Sequence, residues 1–266
     1  MFGLSLGKII LAIRGDLAYA GGCTDFFTVC SEPQQVEEGS LFFLLEEETE
    51  KKEAILHEVW QRKAGGVVAA LRPEELPTTV PPGALIVVAD PLRALQQLAV
   101  AQRNLFQEPV IVLAGGAEKK ELKEILRTLL ETRGAVLCYE ESSYPEVALP
   151  LQILALRREH RAFLVEFGEQ ELGSSDFLFR LCQPDYGVIT QFSCAAQADL
   201  FAHLPRKGGL VLNKADRKAF RPWLSNLRCS LAWFGSTADA AGQVFSRQLG
   251  FKPEEFAAAL GGLFRH

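Results

Sequence analysis

Strand-like apolar runs alternate with helix-like stretches from residue 40 onward. A short run rich in Val, Ile, Leu and Phe is apolar on both faces and must be covered on both, which a parallel sheet with crossover helices achieves. The alternation therefore predicts βαβ units and a mainly parallel sheet. SLFFLL (40–45), VVAAL (67–71) and ALIVVAD (84–90) read as strands of a first series. EEETEKKEAILHEVWQRKAGG reads as a helix closed by Gly65 and Gly66, and Pro91 opens the helix PLRALQQLAVAQRNLF.

A second series begins near residue 108, with strands VIVLAG (110–115), AVLCYE (135–140), AFLVEFG (162–168), YGVITQF (186–192), GLVLN (209–213) and a late SLAWFGS. Helices are expected over EKKELKEILRTLLETRG, closed by Gly134, over VALPLQILAL (147–156), and over SSDFLFRLC, where Ser174, Ser175 and Asp176 suit an N-cap. A terminal helix is expected in KPEEFAAALGGLFRH. The boundary is set where the long helix ends, giving an α/β domain over 1–106 and a second over 107–266.

VIVLAGGAEKKELKEIL (110–126) is a strand, a tight turn and a helix in sequence, the arrangement that cradles phosphates. Such a loop works because glycines let backbone N–H groups converge, a lysine neutralises the phosphates and a hydroxyl holds Mg²⁺. Gly115, Gly116, Lys119 and Lys120 are its candidate nucleotide-binding residues here. Glu118 stands among them. Two like unit charges ~4 Å apart repel by ~4 kcal/mol at an effective dielectric of ~20. A loss of a few kcal/mol weakens binding by roughly two to three orders of magnitude. Lys119 and Lys120 thus have two readings: a remnant phosphate clamp, or exposed lysines in the first turn of an amphipathic helix.

Composition narrows the function. The chain is 48% hydrophobic and 23% charged, a globular balance that argues against disorder. A net charge of −5 without a Lys/Arg-rich run argues against nucleic-acid binding. The six cysteines form no C-x-x-C pair, so they are expected as reduced, packed thiols, Cys194 included, rather than a zinc site. The apolar stretch in MFGLSLGKIILAIRGD ends at Arg14 and Asp16 and reads as an amphipathic helix, not a signal peptide. No run is long enough to span a bilayer, so a cytoplasmic protein without membrane insertion is expected. His57, His160, His203 and His266 are scattered and suggest no catalytic constellation. The run EEETEKKE (46–53) reads as a solvated face, and Trp60, Trp223 and Trp233 as core or edge packing.

Seven segments in order resemble the Mur ligases, most closely the MurF type, over about residues 5–216. EEGSLFFLL is similar to a P-G-D-L-F-V-A-L turn and strand, and LIVVADPLRALQQLA to V-x-D-x-x-x-A-L-x-x-L-A. AGGAEKKELKEIL stands where the family has T-G-x-x-G-K-T-T-x-K-E, and LPLQIL resembles V-P-L-T-L-L. FLVEFG resembles V-x-E-x-G, QPDYGVIT resembles R-P-D-x-G-x-I-T, and GLVLNKAD resembles V-L-N-x-D-D.

The resemblance implies a Mur-ligase-like N-terminal α/β domain that holds a UDP substrate, then a P-loop-like ATPase domain with a mainly parallel sheet and flanking helices. It makes Glu166 a candidate metal ligand; a surface or helix-capping carboxylate is the other reading. Several motif positions depart from the family. Glu118 replaces the second loop glycine, and Lys120 and Glu121 replace the threonines, the first of which binds Mg²⁺. Residues 168–174 lack the family's Asn and His, Ala196 stands where a His is expected, and no A-K-x-E segment occurs between Thr190 and Pro205. Glu32, Pro33 and Gln34 replace the D-S-R that contacts UDP. Little chain follows residue 216, so a C-terminal ligase domain is expected to be missing or reduced. The expected protein is a degenerate homologue without catalytic residues or cofactor, binding an unidentified protein partner or a Mur ligase. The alternative is an active ATP- and Mg²⁺-dependent ligase acting through an acyl-phosphate, alone or as one subunit of a composite enzyme.

Overall fold

A computed structural model describes residues 4–77, 79–168 and 175–234. The chain forms two compact units, divided between Phe106 and Gln107, with Glu146–Arg158 returning to the first. The expected terminal helix, Ser174 and His266 lie outside the described residues.

The first unit opens with β1 (Leu4–Ser5), α1 (Leu6–Ile13) and β2 (Asp16–Tyr19), followed by β3 (Asp25–Phe26), β4 (Val29–Cys30) and β5 (Leu41–Phe43). Then come α2 (Thr49–Gln61), β6 (Gly66–Ala69), β7 (Ala84–Val87) and α3 (Pro91–Leu105). The sheet order is β2-β7-β6-β5-β4, parallel except for the β2–β7 pair. β1 pairs with β3 in a small antiparallel ribbon. Leu56 and Val59 of α2 pack on Phe42, Val67, Ala69 and Leu85 across one face of the sheet. α3 starts as expected: Pro91 follows Asp90, whose side chain caps the Arg93 N–H at 2.9 Å. α2 does not end on the glycines. It stops at Gln61, and Lys63 takes the left-handed conformation at φ 63°. Gly65 is needed instead for close approach, since a Cβ there would lie 2.8 Å from the Gly39 carbonyl oxygen.

The second unit contains β8 (Val110–Ala114), α4 (Glu118–Glu131) and β9 (Ala135–Tyr139). α5 (Pro145–Leu154) follows and packs almost wholly with the first unit, where the Gln102 side-chain amide donates to the Leu156 carbonyl at 3.1 Å. The second unit resumes with β10 (His160–Glu166), α6 (Ser175–Cys182), β11 (Tyr186–Ile189), α7 (Ala195–Ala202), β12 (Gly209–Asn213), α8 (Arg217–Phe220) and β13 (Ser230–Phe234). The six strands run in the order β13-β12-β11-β8-β10-β9, all parallel.

Four short strands before residue 31 and helices α7 and α8 are additions to the sequence reading. The strands are two to four residues long, too short for a period to register, and α7 carries a weak apolar stripe. Among the described residues no helix is long and apolar enough to cross a membrane. α4 lays Leu122, Leu126 and Leu130 on Ile111, Leu113, Leu164 and Val188. Leu164 is fully buried, so Leu164→Ala should cost about 2–5 kcal/mol through lost burial and a cavity. Urea denaturation checks this.

Candidate functional site

The strand order reverses beside β8: the chain leaves β8 for β9 on one side of it, then returns through β10 and crosses to β11 on the other. In open α/β sheets the crevice beyond the strand C-termini at such a point is where ligands bind. The loop Gly115–Ala117 leaves β8 there and enters α4. Gly115 takes φ +118°, and a Cβ on it would lie 2.5 Å from the Thr190 hydroxyl and 2.6 Å from the Gln191 nitrogen, so only glycine fits. β11 ends against the same loop. The Asn213 amide donates to the Thr190 carbonyl at 3.1 Å, and Asp216 accepts from the Phe192 N–H at 2.7 Å. Ser193 N–H donates to the Gln197 side chain at 2.8 Å.

The mouth of the loop is filled by side chains. A Cβ on Gly116 would meet Gln191 Oε1 at 2.5 Å and Glu118 Oε2 at 2.7 Å. Lys119 N–H donates to the Gly116 carbonyl and Lys120 N–H to the Ala117 carbonyl, each at 3.2 Å, so both amides close tight turns within the loop.

The lysines correct one of the two sequence readings. Lys119 is 6% exposed, not a solvated first-turn lysine, and its ammonium donates to Glu141 at 3.0 Å and to the Phe167 carbonyl at 3.1 Å. Lys120 is the exposed one, with Glu141 3.9 Å away. Glu166 is neither a surface nor a capping carboxylate. It is 1% exposed, and its Oε2 accepts from the ammonium of Lys123 at 2.8 Å. Lys123 also donates to Glu140 at 2.9 Å. Glu166 Oε1 is buried without a hydrogen-bond partner.

Lys123, Glu140 and Glu141 were not singled out from sequence. The signal was available: Lys119 and Lys123 are spaced i, i+4 on the helix face that carries Leu122 and Leu126, so both lysines had to be buried there. Glu140 and Glu141 follow β9, one strand beyond β10. Three lysines thus face three carboxylates, and the cluster has no surplus positive charge for a polyphosphate.

Cys194 is exposed, not packed, because it precedes α7 on the surface. Phe192, Phe220 and Trp223 form an aromatic cluster with centroids 5.1–6.2 Å apart, and Arg217 lies over Trp233. Trp60 packs against the first unit's core. Among the described residues no three His, Cys, Asp or Glu side chains gather to hold a metal.

No family model matches the chain. The UDP-N-acetylmuramoyl-tripeptide–D-alanyl-D-alanine ligase of Buchnera aphidicola is 22% identical over 249 residues, 89% of this chain and 53% of that protein. The Bacillus subtilis ligase of the same name is 29% identical over 172 residues, 65% of this chain and 37% of its own length. The crystal structure of MurF from Acinetobacter baumannii superposes with a TM-score of 0.77 at 18% identity, covering 97% of this chain and 68% of that one. The chain resembles the MurF-type Mur ligases. It spans about half or less of those two curated relatives. A MurF ligase from Thermotoga maritima, solved with ADP, matches with a TM-score of 0.63 at 18% identity over 79% of this chain and 50% of that one.

A magnesium–triphosphate group needs open backbone donors, a cation and a hydroxyl at such a loop. The residues as arranged do not fit it. Glu118 and Gln191 crowd Gly116, no hydroxyl follows Lys119, and an ammonium is bound to the carboxylate that the resemblance assigns to the metal.

Removing one partner of a buried pair leaves the other charge uncompensated. Lys123→Met should therefore destabilise the protein by about 3–5 kcal/mol, and Lys123→Met/Glu166→Leu should recover most of it, as read by urea denaturation. Burial pushes the Lys123 ammonium down, but hydrogen bonds and charge from Glu166 and Glu140 outweigh it and hold the pKa above the ordinary lysine value. A cation raised on folding stabilises fully below its unfolded pKa, and that contribution is lost as pH rises through the folded value. Stability should accordingly fall on the alkaline side above the ordinary lysine range, with a shallower fall in the double variant.

Proposed function

We propose that this chain is a non-catalytic MurF-like protein that keeps the α/β framework as a binding or scaffold element linked to peptidoglycan precursor synthesis. The observation that carries this reading is the phosphate loop, where Glu118 stands at a glycine position and Lys120 at the magnesium-binding hydroxyl. Beside it lies the Lys123–Glu166 pair, 2.8 Å apart and buried from solvent, although both of its residues match the family pattern. Mg²⁺ needs a near-octahedral shell of oxygens at about 2.0–2.1 Å. An ammonium bonded to the carboxylate supplies the positive charge in its place and offers no coordination position. Glu118 adds like-charge repulsion at the phosphate loop, and the lysines of α4 are matched by Glu140, Glu141 and Glu166. The role left to the scaffold is binding, with a protein partner such as an intact Mur ligase.

The rival reading is an ATP-dependent ligase joining a carboxylate to an amine. It is favoured by Gly115 at φ +118°, which preserves the turn of a phosphate loop, and by the unpartnered Glu166 Oε1. Calorimetric titration with Mg-ATP separates the two. Absent or millimolar binding, unchanged by Glu118→Gly, is the expected result. Micromolar binding accompanied by phosphate release would overturn the non-catalytic reading, and co-purification with a second Mur-like chain would favour a composite ligase.

A further inference from the structure

A cleft of about 350 Å³ opens beside the turn between α7 and β12 and the segment leading into β13. Its walls carry His203, Arg206, Asn226 and Arg228. β12 and β13 run parallel and both begin here, with Gly209 opposite Ser230. The cleft therefore lies at the N-terminal ends of the strands, the opposite edge of the sheet from the Gly115 loop, which follows the C-terminal end of β8.

The backbone around it is tied down. Gly208 N–H donates to the Pro205 carbonyl at 2.8 Å, and Ser230 N–H to the Gly208 carbonyl at 3.2 Å. Leu204 is buried beneath, and the His203 ring lies 6.0 Å from Phe179. These anchors set two guanidinium stems on fixed supports, one from each wall.

What distinguishes the cleft is that two arginines without a carboxylate partner among the described residues share it. Arg62, Arg72, Arg127 and Arg161 each hold a carboxylate at 3.0–3.4 Å. No ion pair among the described residues engages Arg206 or Arg228. In a chain of net charge −5, two uncompensated guanidiniums share one concave site with an imidazole and a carboxamide. Guanidinium presents a planar fork of N–H donors suited to two oxygens of one anion. Two of them carry the charge that balances a phosphate dianion, and His203 and Asn226 add further donors.

We propose that this cleft binds the phosphoryl group of a small phosphorylated molecule. The site lies apart from the phosphate loop and does not depend on whether that loop binds nucleotide.

The test is calorimetric titration of the full chain with inorganic phosphate and with pyrophosphate at low salt. One site is expected, with affinity that falls as salt rises. Arg206→Gln and Arg228→Gln should each weaken binding about tenfold or more, as loss of a charge-assisted fork does. Arg206→Lys and Arg228→Lys keep the charge without the fork and should give an intermediate loss, with unchanged thermal midpoints. Glu118→Gly should leave this affinity as it was, which separates the cleft from the phosphate loop. Absence of binding, or binding that survives Arg206→Gln/Arg228→Gln, overturns the proposal. Malonate binding as tightly as phosphate overturns the phosphoryl assignment.

Discussion

The ion pair between Lys123 and Glu166 joins α4 to the end of β10 inside the second unit, and the arrangement of the loop follows from it. A buried carboxylate at a strand end is costly unless a cation meets it. Lys123 meets it from the helix, and Lys119, one turn earlier, is drawn to Glu141 and the Phe167 carbonyl. The helix start is thus held by contacts directed into the protein. A helix N-terminus that serves a phosphate directs its donors outward. The same geometry that stabilises this unit removes the cationic surplus on which polyphosphate binding rests.

Much of the fold was legible because buried strands and amphipathic helices differ in period and length. β8, β10 and β12 were placed to within a few residues, and the sheet is parallel as the alternation required. The short strands β2, β3 and β4 offered no period to read. The ends of strands also overextend: YGVITQF carries the strand-favouring Thr190 and Phe192 past Ile189, yet β11 stops there. There Asn213 and Asp216 take over the backbone groups of residues 190 and 192. That is a tertiary bond, invisible to a local pattern.

The candidate site was legible in part, and for a different reason. The glycine at 115 and the glutamate at 118 were visible as residue types at loop positions. Burial of Lys119 was not expected because lysine is assigned to the surface by default, although its spacing from Leu122, Lys123 and Leu126 places it on the packed face. Partner choice was hidden too. Glu140 and Glu141 belong to the end of an edge strand far along the chain, and only the crossover order brings them to α4. The framework resembles that of MurF ligases, while side chains at the same framework positions decide the chemistry.

The return of Glu146–Arg158 to the first unit has a consequence for synthesis. A growing chain folds its leading domain as soon as its parts are outside the ribosome. Here α3 and its neighbours must wait: the carbonyl of Leu156 that receives the Gln102 amide emerges only after β8, α4 and β9 have been made. The two units are therefore interleaved in time as well as along the chain, and a nascent product ending at residue 106 would expose the surface that Leu149 and Ile153 cover.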